Sequence, residues 1–546
     1  MKIFICSLQL IWIYSCRSPA TINRGIETSQ SPDFSDSDRE WYFKDFEEDS
    51  IPGISLEKLY HEYELDTTIR DTVVVAVIDT EVDIYHEDLE GSIWQNKDEI
   101  SGNQIDDDKN GYIDDIYGWN YLGTKDGGSA VYMHTEVTHL VRKYASKFEN
   151  KDFVLYTVED SLAYSNYLKA KSALDDEIAY VEKSIKRFDR YFDEYFVTRD
   201  KVDSIFSNQD YTLEDLKSYK ANDTVAEYYV NDMRFYKRNG FDSLMMANYI
   251  ISQQKMLETS VNPSYDDRKL IGDDVDDIND VPYGHENVAV NLDDLYHGTL
   301  IAGTIAGNMY NDKGGVGVTN AVKLMVLCVS SNGDERDKDI ALAIRYAVDN
   351  GAKVINMSSS NSFTLHKDWV DESLLYAAEK DVLFITSAGN SNKDLDKKEN
   401  PNYPNDGFYP ELDDSNNFMM IGASTSELPN LKYRTSNYGK ETVDLFAPGK
   451  GIYAPLPNNK YRTINGTSMA TAITSGVAAL IRSQYPELTA SEIKNILMES
   501  GDTYSMNVEV KQENDSILKV PFSRLSKSGK VLNAYKAMKL AETKAK

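Results

Sequence analysis

From Ile51 onward the chain alternates short, wholly apolar runs with stretches in which apolar positions recur every three or four residues. Runs of that kind belong to strands buried on both faces, and amphipathic helices between them predict an α/β fold, a parallel sheet covered on both sides. Strands are predicted at Thr72–Ile78, Val322–Val329, Lys353–Met357, Val382–Thr386, Phe418–Gly422 and Val443–Phe446. Helices are predicted at Thr299–Asn308, Asp337–Asn350 and Trp369–Lys380, with two more toward the C-terminus. The last of these starts near Ala490 behind Thr489 and Glu492, a capping box in which each side chain satisfies a free backbone N–H.

The pattern changes between about Tyr132 and Asn262. Leu174, Ile178, Val181, Ile185, Phe188, Phe192 and Tyr195 alternate four- and three-residue spacings, an apolar seam on a helix of at least about six turns. A second stretch, Phe241 to Leu257, is suited to pack on it. Residues 132–262 therefore read as a helical insertion that splits one α/β domain into 51–131 and 263–546. The seam reads as the insertion's own core, and no partner is assigned to it.

Residues 17–50, rich in Ser, Asp, Glu and Pro, read as a flexible tether. Before them, MKIFICSLQLIWIYSC is apolar, carries one Lys and is too short to cross a bilayer as a helix, so residues 1–16 read as an export signal. Ile13-Tyr14-Ser15-Cys16 resembles a bacterial lipoprotein cleavage box with Cys16 as the lipidated residue; the alternative is an ordinary signal peptide that contains a cysteine. The protein is expected in the cell envelope or outer membrane, otherwise secreted or periplasmic, and to touch membrane only through that anchor. With Cys6 and Cys16 at the N-terminus, Cys328 has no partner for a disulfide in a mature chain.

Composition narrows the partners. The 546 residues carry 58 Lys and Arg against 89 Asp and Glu, a formal charge of −31. Such a chain repels nucleic-acid phosphates, so no nucleic-acid partner is expected, and it suits the binding of cations. The acidity is concentrated in the first half, in the tether and in two Asp-rich stretches that flank the insertion. In the first, Asp106, Asp108 and Asn110 take positions one, three and five of a calcium loop, Gly111 supplies the turn and Tyr112 a carbonyl. Tyr117 stands where a closing Glu belongs, which leaves closure to Asp114 or Asp115. Calcium is the one cofactor expected, against the alternative of a solvated acidic turn. The second stretch, Asp273 to Asp280, has less definite spacing. His134, Glu136 and His139 look like a zinc-peptidase motif, but an i, i+5 spacing turns the histidines apart, so neither zinc nor an organic cofactor is expected.

Four residues carry candidate chemistry. Asp79 ends the apolar run VVVAVIDT, and ligands gather at the carboxyl ends of parallel strands. His297 opens HGTLIAGTIAG, whose small residues allow close packing. Ser468, in NGTSMATAITSGVAALI, leads a helix that reads as wholly buried, where the helix dipole favours developing negative charge. Asn390, in FITSAGN, stands on a tight loop from which its amide can serve an oxyanion. Taken singly these are also a strand-end cap, a core histidine and a helix N-cap. In the chain order Asp, His, Asn, Ser, the motifs IDT, HGT, SAGN and GTSMA resemble those of the subtilisin-like serine peptidases, the subtilases, over Ile51 to Lys539 apart from the insertion.

That resemblance implies an endopeptidase with Ser468 as nucleophile, His297 as general base, Asp79 orienting the imidazole and Asn390 in the oxyanion hole. It implies extended polypeptide substrates, paired to the strand edge at Met357–Ser360, with Ser358, Ser359 and Ser360 as substrate-binding residues. The chain departs from the family pattern at Glu81 and Ser360, where Gly is usual, at Leu300, where a second His is usual, and at Ala472, where Pro is usual. The competing expectation is a catalytically idle calcium-binding surface protein that keeps the peptidase shell and presents its helical insertion to a partner.

Overall fold

The computed structural model describes residues 40–63, 65, 73–150, 157–206, 210–220, 223–311, 313–407, 416–512 and 516–546. The proposed export signal, Cys16 and most of the proposed tether lie outside these residues.

In chain order the strands are β1 (Val73–Asp79), β2 (Gly118–Asn120), β3 (Val322–Cys328), β4 (Ala352–Met357), β5 (Leu383–Ser387), β6 (Phe418–Ser424), β7 (Leu445–Pro448), β8 (Ile452–Leu456), β9 (Lys460–Ile464), β10 (Asp502–Thr503), β11 (Asn507–Lys511), β12 (Ile517–Pro521) and β13 (Lys530–Val531). Among the described residues one sheet runs β2-β3-β1-β4-β5-β6-β7-β13-β10, every pairing parallel except that of β10 with β13. The antiparallel pairs β8/β9 and β11/β12 stand apart from it.

The helices are α1 (Phe46–Asp49), α2 (Leu56–Glu62), α3 (Glu136–Phe148), α4 (Val158–Phe206), α5 (Leu213–Ser218), α6 (Thr224–Asn239), α7 (Ser243–Glu258), α8 (His297–Ala306), α9 (Asp337–Asp349), α10 (Lys367–Glu379), α11 (Thr467–Gln484), α12 (Ala490–Ser500) and α13 (Ala534–Lys544). Each face of the sheet has its own core. Val73, Val75 and Val77 of β1 pack with α8, α11, α12 and α13, whereas Ala76 and Ile78 pack with α9 and α10. Successive side chains of a strand point to opposite faces, so a sheet covered on both needs every position apolar, which is the origin of the unbroken runs.

All six predicted strands and the three central helices form within a few residues of their expected ends. Three features depart from the sequence reading. Residues 40–50 are not tether: Trp41, Tyr42 and Phe43 are buried in the core, and Trp41 Nε1 donates to the carbonyl of Lys450 at 3.0 Å. The transfer free energy of three aromatic side chains outweighs the acidic composition of that stretch. A further helix, α13, docks behind α12 through Ala534, Ala537, Met538 and Ala541. The sequence pattern does not predict the hairpins β8/β9 and β11/β12, because β9 and β12 have no buried residue and so show no apolar run.

Among the described residues the insertion contains five helices, and α4 alone has 49 residues, a rod of about 70 Å. Its anticipated seam faces inward, with Leu174, Val181 and Phe188 buried and Ile178, Ile185, Phe192 and Tyr195 half-buried. Two small cores line it. Val137, Leu140, Val141, Phe148, Tyr167 and Leu174 form one, against Phe363 and Leu365 of the α/β body. Phe188, Val202, Val230, Met233, Tyr236 and Met246 form the other, further along α4. No helix among the described residues is long and apolar enough to cross a membrane.

Close packing sets the position of α8. A Cβ on Gly303 would stand 1.9 Å from Cγ of Pro455 in β8. Gly to Ala within a helix ordinarily stabilises by up to about 1 kcal/mol. Here the clash should reverse the sign, and Gly303→Ala should destabilise by about 1–3 kcal/mol in denaturant unfolding. A stabilised variant would refute this packing.

Candidate active site

The carboxyl ends of β1, β4 and β5 converge on the N-termini of α8 and α11. Asp79, the last residue of β1, is buried, its side chain 2% exposed, and its Oδ1 accepts from the Thr80 N–H at 2.7 Å. The same oxygen lies 2.7 Å from His297 Nδ1. With a carboxylate as partner Nδ1 carries the proton, which leaves Nε2 as the basic nitrogen. The imidazole is 35% exposed, so it is reached from the cleft.

Burial disfavours the His297 cation, but the charge and hydrogen bond of Asp79, with a further contribution from Glu335, prevail and hold its pKa above the ordinary histidine value. Gly298 allows this contact: a Cβ there would come within 2.5 Å of the Thr80 carbonyl, and its N–H donates to Thr80 Oγ1 at 2.8 Å.

Ser468 is the second residue of α11. Its Oγ donates to the backbone carbonyl of Ser358 at 2.9 Å, and Ser358 Oγ donates back to the Ser468 carbonyl at 3.1 Å. Among the described residues the Ser468 hydroxyl makes no hydrogen bond to His297. Asp79 and His297 are thus in contact, and Ser468 stands at the cleft with its hydroxyl turned to the β4 side.

Asn390, on the loop after β5, accepts from the Thr467 N–H through Oδ1 at 3.0 Å. That bond fixes the flip of the amide and directs its NH2 group to the other side, where it comes 3.6 Å from a Cβ built on Gly466. Among the described residues neither amide hydrogen is used. The loop has its own supports. Gly389 has φ +90°, and a side chain there would strike Asn437 Nδ2 at 2.8 Å. Asn437 donates to the Ala388 carbonyl at 2.7 Å and accepts from the N–H groups of Ser391 and Lys393.

Lys432 in turn holds the segment bearing Asn437. Its buried ammonium donates to Asn392 Oδ1 at 2.9 Å and to the carbonyls of Tyr433 and Ser436 at 3.1 and 2.7 Å. Burial lowers its pKa to about 7. Neither residue is visible in the sequence as a site residue, since each acts only through neighbours brought near by folding.

The three serines after β4 differ in placement. Ser358 is 3% exposed, and its hydroxyl is tied to Asn356 and Ser468, so it braces the cleft from behind and does not line it. Ser359 gives its carbonyl to Thr386 Oγ1 at 3.0 Å, while its own hydroxyl is buried without a hydrogen bond of normal geometry. Ser360 is half-buried, and its Oγ lies 3.2 Å from a Cβ built on Gly389. Among the described residues the N–H groups of Ser359 and Ser360 have no hydrogen-bond partner.

Glu81, which replaces a usual glycine, is fully buried. Its carboxylate accepts from Ser129 Oγ and from the N–H groups of Val290 and Asn291, each at 2.5 Å, and so clamps both arms that lead to the insertion. Leu300 is buried in the core of α8, and α11 runs unbroken through Ala472.

In the acidic loop the carboxylates of Glu99, Asp106 and Asp108 offer oxygens within 4.8 Å of one another. Asn110 is held to Asp108 and Asp115 through Nδ2. Asp114 does not join them: its oxygens accept from the N–H groups of Gly102, Asn103 and Gln104, which corrects its assignment as a ligand. The Tyr112 ring packs on Trp119 and Tyr346. Glu99, buried seven residues before Asp106, was missed, because nothing in the loop spacing marks it. Burial, with the charges of Asp115 and Asp108, raises its pKa although two backbone N–H groups oppose this.

Two carboxylates of the second acidic stretch are neutralised by the protein itself. Asp273 pairs with Arg268 and Lys338 at 2.7 and 2.9 Å, and Asp276 with Lys143 at 2.6 Å and His366 at 2.8 Å. His134 contacts the Asn262 carbonyl, His139 faces Asp276, and Glu136 pairs with Arg336, so these three side chains have separate partners.

Residues 70–518 match the family model described as the subtilase family. Subtilisin DY of Bacillus licheniformis is 33% identical over 248 residues, 44% of this chain and 80% of that protein. Thermitase of Thermoactinomyces vulgaris is 33% identical over 210 residues, 38% of this chain and 68% of that protein. The cell wall-associated protease of Bacillus subtilis (strain 168) is 28% identical over 388 residues, 64% of this chain but only 41% of that longer protein. With a family match over most of its length and a parallel α/β sheet that brings the family's motifs to one cleft, this chain belongs to the subtilase family of serine peptidases.

Proposed function

We propose that the protein is an active serine endopeptidase that cleaves extended polypeptides, and the observation that carries this reading is the Asp79–His297 contact at 2.7 Å beside Ser468. His297 Nε2 is free to take the Ser468 proton once a staggered χ1 rotation moves Oγ from the Ser358 carbonyl toward the imidazole. The alkoxide attacks the scissile carbonyl, and the imidazolium then protonates the leaving amine. Asp79 stabilises that cation and fixes the Nδ1–H tautomer. The oxyanion is met by the Asn390 amide, with its unused donors, and by the N-terminus of α11. Such a donor is worth about 3–4 kcal/mol in the transition state. The unpaired N–H groups of Ser359 and Ser360 offer an edge to which a substrate strand can pair. The alternative of an idle shell gains no support, since Asp79, His297, Asn390 and Ser468 are all present.

Calcium fits the Glu99, Asp106 and Asp108 cluster. Three carboxylates so close repel one another, and a hard divalent cation is the chemistry that relieves them. Its role would be to stiffen the loop, apart from the reaction. Export with a lipid anchor at Cys16 remains part of the proposal and rests on the N-terminal sequence.

A fluorophosphonate probe should label the native protein and fail on Ser468→Ala and on His297→Ala; labelling that survives either change overturns the peptidase reading. The acid limb of kcat/KM should follow His297. Its neutral form is the base, so activity falls as pH drops through the raised pKa. Asp79→Asn removes the main cause of that rise, so the limb should move to lower pH while the rate falls on the order of 10⁴-fold. An unmoved limb would contradict the assignment of Asp79. Calcium at about a hundred times its Kd should stabilise the protein by about 2.7 kcal/mol, and Asp106→Ala with Asp108→Ala should abolish the shift; a melting temperature indifferent to both calcium and chelator excludes this site.

A further inference from the structure

Glu335 has no part in the chemistry above, yet it stands beside it. It lies on the loop between β3 and α9, is 7% exposed, and is near enough to His297 to act on its charge. One carboxyl oxygen accepts from Ser330 Oγ at 2.5 Å. The other lies 3.5 Å from Asn361 Nδ2, at the limit of a hydrogen bond, and the Ser359 hydroxyl and the residue's own N–H also favour the carboxylate. The Ser359 hydroxyl is buried beside this carboxylate.

Among the described residues no Lys or Arg pairs with Glu335. Its neighbour Arg336 turns away to Glu136, Asp267 and the His134 carbonyl, and its other neighbour, Asp334, is a like charge. Several other buried carboxylates are paired or saturated, among them Asp339 with Arg268, Asp267 with Arg336 and Glu81 with three donors. An unpaired buried carboxyl is costly, and burial raises the pKa of Glu335 accordingly. Two of its surroundings, Ser359 and Asn361, flank Ser360, the edge to which a substrate strand would pair.

We propose that Glu335 is a specificity-determining residue that receives a basic side chain, Lys or Arg, of the polypeptide substrate, with Ser359 Oγ as a second hydrogen-bond partner of its cation. The recess thus gains from the substrate the counter-charge the chain does not supply. This rests on the peptidase reading and adds the substrate class to it.

The test uses quenched fluorescent peptides alike except for lysine or norleucine scanned through four positions on each side of the cleaved bond. At one position lysine should exceed norleucine at least about tenfold in kcat/KM, and Glu335→Gln should bring that ratio close to one. Glu335→Asp, which keeps the charge but draws it back, should give an intermediate ratio and serves if the Gln variant does not fold. Norleucine equal to lysine at every position, or a lysine preference that survives Glu335→Gln, overturns the proposal. So does a shifted pH profile with an unchanged ratio, since that would make Glu335 only a modulator of His297. If the wild type cleaves no peptide, the peptidase reading fails by itself. Calorimetric binding of the lysine and norleucine peptides to Ser468→Ala protein then decides the recess: tenfold tighter lysine binding upholds it, and equal binding ends it.

Discussion

Helix α11 is the constraint on which the cleft depends. Sixteen of its eighteen residues are buried, an unusual demand on a segment that contains three threonines and three serines. Burying those hydroxyls is tolerable because each can be satisfied locally. Thr471 and Thr474 bond to carbonyls four residues back, Ser475 reaches Asn356, and Ser483 bonds to Leu480. Small residues let the helix lie against β4, β5, β6 and β7 at once, so its first turn cannot shift without disturbing most of the sheet. The reciprocal Ser358–Ser468 bonds then join that first turn to the end of β4. The position of Ser468 is thereby a property of the whole core.

A second layer of order comes from charges and amides that never meet a substrate. Lys432 holds the segment of Asn437, Asn437 holds the loop of Asn390, and Asn390 bonds to the N–H of Thr467 at the head of α11. The chain of bonds closes on the residue next to Ser468. Glu81 does the corresponding work on the other side. A glycine at that position leaves open backbone; a buried carboxylate there gathers Ser129, Val290 and Asn291. It anchors the two arms of a 49-residue helix and its companions within a few residues of His297. Burial raises its pKa despite three donors, so the clamp is a group under electrostatic load.

Much of this was legible in the sequence where a single physical pattern dictated it. Strands covered on both faces must be apolar throughout, so β1, β3, β4, β5, β6 and β7 declared themselves, as did the seam of α4. Asp79, His297, Asn390 and Ser468 stood out because each sits where an element ends or begins beside a distinctive local motif. What could not be read were groups whose meaning is relational. Glu99 and Glu335 are ordinary acidic residues until folding surrounds one with carboxylates and leaves the other without a cation. Asp114 looked like a ligand by spacing, but a turn of N–H groups captures it first. Trp41, Tyr42 and Phe43 were hidden by the acidic stretch around them.

The insertion also bears on when the cleft comes into being. Asp79 and His297 touch across 218 residues of chain, and β1 lies between β3 and β4, both of which follow the insertion. A chain that emerges N-terminus first must therefore carry β1 unpaired through the synthesis of five helices before its sheet neighbours exist. Closing so long a loop costs little more free energy than closing a short one, because the entropy grows only with the logarithm of length. Time is what the arrangement consumes. A nascent chain of this design holds its carboxylate early and its serine last, so Asp79 and Ser468 meet in one cleft only after nearly the whole sheet has been made.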